Sequence, residues 1–196
     1  MRPVNLAIAL TSSRLVLAPF FFVFFFLPSW TGSDTWLFLA VLWLLFLVME
    51  SSDIADGAVA RARNQVSDLG KLLDPFADVL ARLTYFICFA QADVMPVWTL
   101  MLIFYREFGI MFLRLLMYHK GVALAARKGG KLKSSFYFLA GVGGLFVVTA
   151  RVLPGLYRFE AVASTVVYWL FVIGATLAVL SFLDYLRIAI KTLRNS

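Results

Sequence analysis

Four aspartates fall at the ends of two strongly apolar stretches: Asp53, Asp56, Asp74 and Asp78. The chain reads Asp53-Ile-Ala-Asp56-Gly57-Ala-Val-Ala60-Arg61, then eight residues, then Gly70-Lys-Leu-Leu-Asp74-Pro-Phe-Ala-Asp78. A carboxylate within a membrane span costs roughly 2.5–3.5 kcal/mol on insertion scales, so four together demand a compensating charge. Asp53 and Asp56 are three residues apart, and Asp74 and Asp78 four apart, so each pair shares one face of a helix. Two such pairs facing each other make an all-oxygen site for hard cations such as Mg²⁺, which favour carboxylates together with substrate phosphates. This is the chemistry of a metal-dependent enzyme.

The elements that must position these carboxylates are membrane helices. The 196-residue chain is 62% hydrophobic and only 15% charged, against about 25% charged in soluble domains. Six segments, 6–27, 36–60, 72–90, 97–118, 135–153 and 161–188, are each near or above the roughly 20 residues needed to cross the hydrocarbon. The expected fold is an all-α integral membrane protein, a bundle of six transmembrane helices in a single domain over residues 1–196. Breaks are expected at Pro28 to Gly32, Arg61 to Gly70, Asp93 to Pro96, Gly129-Gly130 and Pro154-Gly155, where turn-forming residues cluster. Pro75 is expected in the first turn of its helix, where its missing N–H costs little. No cleavable leader is expected, because the apolar run after Met1-Arg2-Pro3 lacks a small-residue cleavage site and is long enough to span.

Charge placement orients the bundle. With the N-terminus inside, Arg2, Arg61, Arg63, Lys71, Lys120, Arg127, Lys128, Lys131, Lys133, Arg187, Lys191 and Arg194 lie on one side, and only Arg151 and Arg158 on the other. The positive-inside rule then places both termini in the cytoplasm, and all four aspartates at similar depth near the cytoplasmic surface. Trp30, Trp36 and Trp98 fall near the outer interface. The net charge of +7 is explained by topology and anionic headgroups rather than by nucleic acid.

Arg14, Arg82, Arg106 and Arg114 lie within spans, and there Arg106 and Arg114 must face a partner or a wet cavity. Arg82, one turn beyond Asp78, is expected to neutralise a site carboxylate, and Glu107 to pair with Arg106 or Arg114. Arg106 and Arg114, with Lys131 and Lys133, could form a pocket for a small anion such as a sugar phosphate; the two lysines are also explained as solvated topological charges. Glu50, three residues before Asp53, is left between a supporting role and an outward position in a cavity. The lone Cys88 reads as a packed small hydrophobe, and His119 as an interfacial or loop residue. Gly141, Gly143 and Gly144 are expected to permit close helix packing, and the phenylalanine-rich run from Phe20 to Phe26 to face lipid.

The pattern Asp53-x-x-Asp56-Gly57-x-x-Ala60-Arg61, eight residues, Gly70-x-x-x-Asp74-x-x-x-Asp78 resembles that of the CDP-alcohol phosphotransferase family of membrane enzymes. The resemblance implies that Asp53, Asp56 and Asp74 hold two Mg²⁺ or Mn²⁺ ions, with Asp78 a further ligand or the general base. Gly57, Ala60, Arg61 and Gly70 would surround the nucleotide. The run Arg106-Glu107…Leu113-Arg114…Lys120-Gly121-Val-x-x-Ala125-Ala126…Gly130-Lys131-x-Lys133-Ser134, with Asn5…Leu10-Thr-Ser-Ser-Arg14…Pro19, is similar to the phosphatidylglycerophosphate synthase branch. It implies transfer of a phosphatidyl group from CDP-diacylglycerol to sn-glycerol 3-phosphate, with Arg106, Arg114, Lys131 and Lys133 on the acceptor phosphate, in a homodimer of the bacterial inner membrane. Val79 stands where Lys commonly follows the last aspartate, and Tyr137 where Gln is common; both bear on acceptor choice. Rival expectations are the same chemistry with inositol phosphate, serine or phosphatidylglycerol as acceptor and, from another class, a cation transporter using intramembrane carboxylates.

Overall fold

In hydrocarbon every backbone N–H and C=O must be paired within the protein, which leaves a long apolar segment little choice but the helix. A computed structural model describes residues 6–33, 35–62, 68–119 and 128–195, with side chains except at 6–8, 53–62, 68–72, 119, 128–131, 193 and 195. Six long helices follow in order: α1 Leu6–Thr31, α2 Thr35–Ala62, α3 Asp68–Gln91, α4 Val97–His119, α5 Lys128–Val152 and α6 Glu160–Asn195. A short 3₁₀ turn, Tyr157–Phe159, leads into α6. The shortest, α4, has 23 residues and is about 34 Å long, enough to cross a core about 30 Å thick. Ala9–Thr31, Thr35–Ser52, Leu132–Val152 and Tyr157–Thr192 are also apolar enough to span. The other two helices are interrupted by several charges each, Asp74, Asp78 and Arg82 on α3 and Arg106, Glu107 and Arg114 on α4.

Several boundaries differ from the sequence expectation, each for a local reason. Helix α1 runs through Pro28 and ends at Gly32, whose φ of 68° lets its N–H close back on the Pro28 carbonyl at 2.9 Å. Glycine occupies that left-handed backbone without penalty, so it rather than the proline stops the helix. Helix α5 begins at Lys128, which places Gly129 and Gly130 in its first turn instead of in a break. Helix α3 begins at Asp68, so Pro75 lies in its interior rather than in its first turn. With no N–H to give, Pro75 leaves the Lys71 carbonyl without its usual helical partner, beside the Asp74–Asp78 pair.

The chain divides into two compact units, Met1–Phe89 with Val148–Arg158, and Ala90–Val147 with Phe159–Ser196. In the first, α1 and α2 pack along each other, and the fully buried Phe21, Phe46, Tyr85, Phe86 and Phe89 fill its interior. The Tyr85 ring meets Phe46 at 5.3 Å and Phe86 at 5.0 Å between centroids, both edge to face, an arrangement aromatic quadrupoles favour. Only part of the phenylalanine run faces outward, since Phe21 is buried against Tyr85 while Phe20 is exposed. Helix geometry requires this, because seven consecutive residues go almost twice round the axis. The Trp43 indole N–H donates to Thr149 Oγ1 at 3.0 Å, and Cys88 is fully buried as expected.

In the second unit, α4 packs on α6 around Ile110, Leu113, Met117, Tyr185 and Ala189. Gly109 admits the Phe182 ring, which a Cβ at that position would meet at 2.8 Å. Gly143 on α5 admits Val167 of α6 to within 2.6 Å of where its Cβ would be, so this member of the glycine group does serve close packing.

Candidate active site

The carboxylates of the first unit are held by arginines. Arg14, in the middle of α1, is 1% exposed and donates from Nη2 to Asp74 Oδ1 at 2.6 Å. Asp74 itself remains 47% exposed, so its guanidinium partner is buried while the carboxylate faces outward. Asp78, four residues along the same face of α3, is 30% exposed and takes both prongs of Arg82. Arg82 Nη1 donates to Oδ2 at 2.9 Å and Nη2 lies 2.7 Å from Oδ1, a bidentate fork that fixes the carboxylate's orientation. One turn further along α3 than Arg82, the Tyr85 hydroxyl donates to Glu50 Oε1 at 3.0 Å. The i,i+4 spacing of Asp74 and Asp78, and the next i,i+4 step to Arg82, put all three on one side of α3.

Asp53, Asp56, Gly57, Ala60 and Arg61 lie on the last turns of α2, and Gly70 in the first turn of α3; their side-chain positions are outside the described residues. So are those of Lys131 and His119. Of the expected metal ligands the structure therefore describes Asp74 and Asp78. Their donor atoms are carboxylate oxygens, partly open to solvent and held in fixed orientation, a set that fits a hard divalent cation.

The second unit carries a buried charge cluster. Arg106, Glu107 and Lys133 are all nearly inaccessible. Arg106 Nη1 donates to Glu107 Oε2 at 2.7 Å and Nη2 to Ser181 Oγ at 3.3 Å, while Lys133 Nζ bonds the other oxygen, Glu107 Oε1. The Lys133 ammonium also stands 4.9 Å over the Tyr137 ring, a cation–π contact. Glu107 thus bridges two of the four expected anion-binding residues, and the trio carries a net charge of +1. Arg114, two turns further along α4, has its Nε buried without a hydrogen-bond partner among the described residues. The Nε of Arg106 is in the same state, but Arg106 already serves Glu107, which leaves Arg114 the better candidate to receive an anion.

Sequence reasoning anticipated the partner of Arg82 and one partner of Glu107, but assigned no role to Arg14 or Tyr85. The signal for Arg14 was present: an arginine inside an apolar helix must meet a carboxylate or water. Tyr85 gave none, since a tyrosine among phenylalanines reads as core.

Described residues that are helical almost throughout, several long apolar helices, arginine-bound carboxylates in the interior of α3 and a buried basic cluster on α4 and α5 have the make-up of a multi-pass membrane enzyme acting on phosphorylated substrates. The chain belongs to the CDP-alcohol phosphatidyltransferase family, whose model matches residues 4–180. It is 38% identical to a CDP-diacylglycerol–glycerol-3-phosphate 3-phosphatidyltransferase of Treponema pallidum, over 74% of this chain and 67% of that protein. A protein of the same name from Bacillus subtilis is 35% identical, over 66% of this chain and 70% of its own length. One from Haemophilus influenzae is 30% identical over 94% of this chain and 93% of its own length.

Proposed function

We propose that this chain transfers the phosphatidyl group of CDP-diacylglycerol to the primary hydroxyl of sn-glycerol 3-phosphate, giving phosphatidylglycerophosphate and CMP. The observation that carries this reading is the similarity to phosphatidyltransferases that extends over nearly the whole chain, 94% of it in the Haemophilus influenzae case. The family match sets aside cation transport.

Asp53, Asp56, Asp74 and Asp78 would hold two Mg²⁺ or Mn²⁺ ions, whose charge when bound neutralises the donor diphosphate and the departing CMP. Asp78 accepts the proton of the attacking hydroxyl, and the Arg82 fork keeps its carboxylate aimed while it does so. Arg14 holds Asp74 from the side of α1. The acceptor oxygen bonds to the lipid-side phosphorus as the bond from that phosphorus to the CMP oxygen breaks, its electrons leaving with CMP. Gly57, Ala60 and Gly70 leave room for the nucleotide, and Arg61 offers a planar fork to its phosphates. Arg114, with Arg106, Lys131 and Lys133, binds the phosphate of the acceptor; Arg106 and Lys133 are already engaged by Glu107, which supports Arg114's part most directly.

The positive-inside bias supports cytoplasmic termini and a carboxylate site near the cytoplasmic face of the inner membrane, where polar acceptor and CMP exchange with water and the lipid donor enters laterally. The working form is a homodimer. The test is a proteoliposome assay with CDP-diacylglycerol and Mg²⁺, offered in turn sn-glycerol 3-phosphate, inositol phosphate, serine and phosphatidylglycerol, with the product lipid read by mass spectrometry. Phosphatidylglycerophosphate from the first alone is expected; turnover of another alcohol while glycerol 3-phosphate fails would overturn the acceptor assignment.

A further inference from the structure

Two stripes of the first unit run toward the carboxylates from opposite helices. On α2, Phe46, Glu50 and Asp53 follow at i, i+4 and i+7; on α3, Asp78, Arg82 and Tyr85 do the same. Such residues share one helical face. The stripes meet at Tyr85, whose ring packs against Phe46 at 5.3 Å between centroids and whose hydroxyl donates to Glu50 at 3.0 Å. One turn back along α3 from Tyr85, Arg82 forks onto Asp78. The α3 face that presents Asp78 thus also carries the tyrosine that reaches across to Glu50 on α2, three residues before Asp53.

We propose that Glu50 and Tyr85 are positioning residues, a polar strut between α2 and α3 that fixes the separation of their aspartate pairs for metal binding. The inference rests on the assignment of those aspartates to the metal site. Neither strut residue need touch substrate. A tyrosine hydroxyl is costly to bury among phenylalanines unless it is hydrogen-bonded, the half-buried Glu50 supplies its acceptor, and core packing alone would be met by Phe at 85. What the polar pair adds is direction: the hydroxyl's hydrogen bond runs from α3 to Glu50 on α2, and a hydrogen bond weakens steeply as its geometry is displaced. Helix α2 is thereby held in register with α3 at the level where four carboxylates must converge to within metal-ligand distances. Hydrophobic contacts, which tolerate sliding, would not set that register alone.

The discriminating variant is Tyr85→Phe, which removes one oxygen and keeps every ring contact. Mn²⁺ binding is measured by electron paramagnetic resonance on purified protein, beside Mn²⁺-dependent CMP release and thermal unfolding in the same detergent. Tyr85→Phe is expected to weaken Mn²⁺ binding roughly 10-fold, the low end for residues supporting metal ligands. It should lower kcat at subsaturating metal and leave the KM for the acceptor within about 2-fold, as expected when acceptor contacts are intact. Glu50→Leu should match it, and Glu50→Gln, whose amide oxygen still accepts the hydroxyl, should restore binding to within about 3-fold of the parent. Tyr85→Phe with unchanged Mn²⁺ affinity would overturn the strut, as would a loss of activity that follows lowered thermal stability alone. Asp78→Asn serves as the reference. If it weakens Mn²⁺ binding and Tyr85→Phe does not, the strut fails and the metal site stands; if neither does, the metal-site assignment fails and the strut with it.

Discussion

Replacing Arg82 by Gln tests how the α3 carboxylates are held. The two nitrogens lie 2.9 and 2.7 Å from the two oxygens of Asp78, and the arginine side chain is 7% exposed against 30% for the aspartate. Breaking a fully buried pair costs about 3–5 kcal/mol, but water reaches Asp78, so about 2–3 kcal/mol is the fitting figure. If that energy orients the carboxylate for proton transfer, kcat/KM falls roughly 30- to 150-fold, at about 1.36 kcal/mol per tenfold. Arg82→Lys keeps the charge and loses the fork, and should sit between, roughly 5- to 10-fold down. CMP release from CDP-diacylglycerol is followed in proteoliposomes at saturating Mg²⁺, with Asp78→Asn and the double variant completing a cycle. The two residues share one interaction, so the double variant should be little worse than Asp78→Asn alone, giving a coupling of about 2 kcal/mol. Independent, multiplying losses would refute the reasoning, as would an Arg82→Gln enzyme within 2-fold of the parent.

Arg114→Gln should raise the KM for glycerol 3-phosphate roughly 10-fold or more with a smaller change in kcat, because it removes binding of an anion present in ground and transition states alike. Glu107→Gln leaves Arg106 and Lys133 buried without their counter-charge and should cost about 3–5 kcal/mol of stability, read as lowered thermal unfolding and loss of monodisperse protein. Gly109→Ala forces a Cβ to 2.8 Å from the Phe182 ring and should destabilise by about 1–3 kcal/mol. Gly155→Ala, which meets nothing within 4 Å, should cost about 0.5 kcal/mol or less in the same unfolding assay. Chelation by EDTA should abolish CMP release, and either Mg²⁺ or Mn²⁺ should restore it; full activity in excess chelator would remove the metal from the account.

The six helices were legible because hydrocarbon imposes one solution on a long apolar segment, and length alone places them. Their ends were less so. Pro28 and the Gly129-Gly130 pair read as breaks, yet a proline near a helix end and glycines in a first turn are tolerated when the helix is held elsewhere. The aspartate motif was legible through spacing and resemblance. Its supports were legible only where they lay on the same helix: Arg82 follows from i,i+4 arithmetic. Arg14 is 60 residues from Asp74, and Tyr85 is 35 from Glu50, separations that no periodicity connects. Glu107 was expected to take one arginine and in fact bridges Arg106 and Lys133, because α5 brings a lysine 26 residues distant to its second oxygen. Composition could count these charges without pairing them.

The central claim is that the acceptor hydroxyl attacks the lipid-side phosphorus of the donor. It is tested most directly by supplying glycerol 3-phosphate carrying ¹⁸O in its primary hydroxyl to the purified protein in proteoliposomes with unlabelled CDP-diacylglycerol and Mg²⁺. The account predicts ¹⁸O in the bridging oxygen of phosphatidylglycerophosphate, unlabelled CMP in equal amount, and loss of both products in Asp74→Ala. Label appearing in a cytidylylated glycerol phosphate, with phosphatidic acid released in place of CMP, would contradict it.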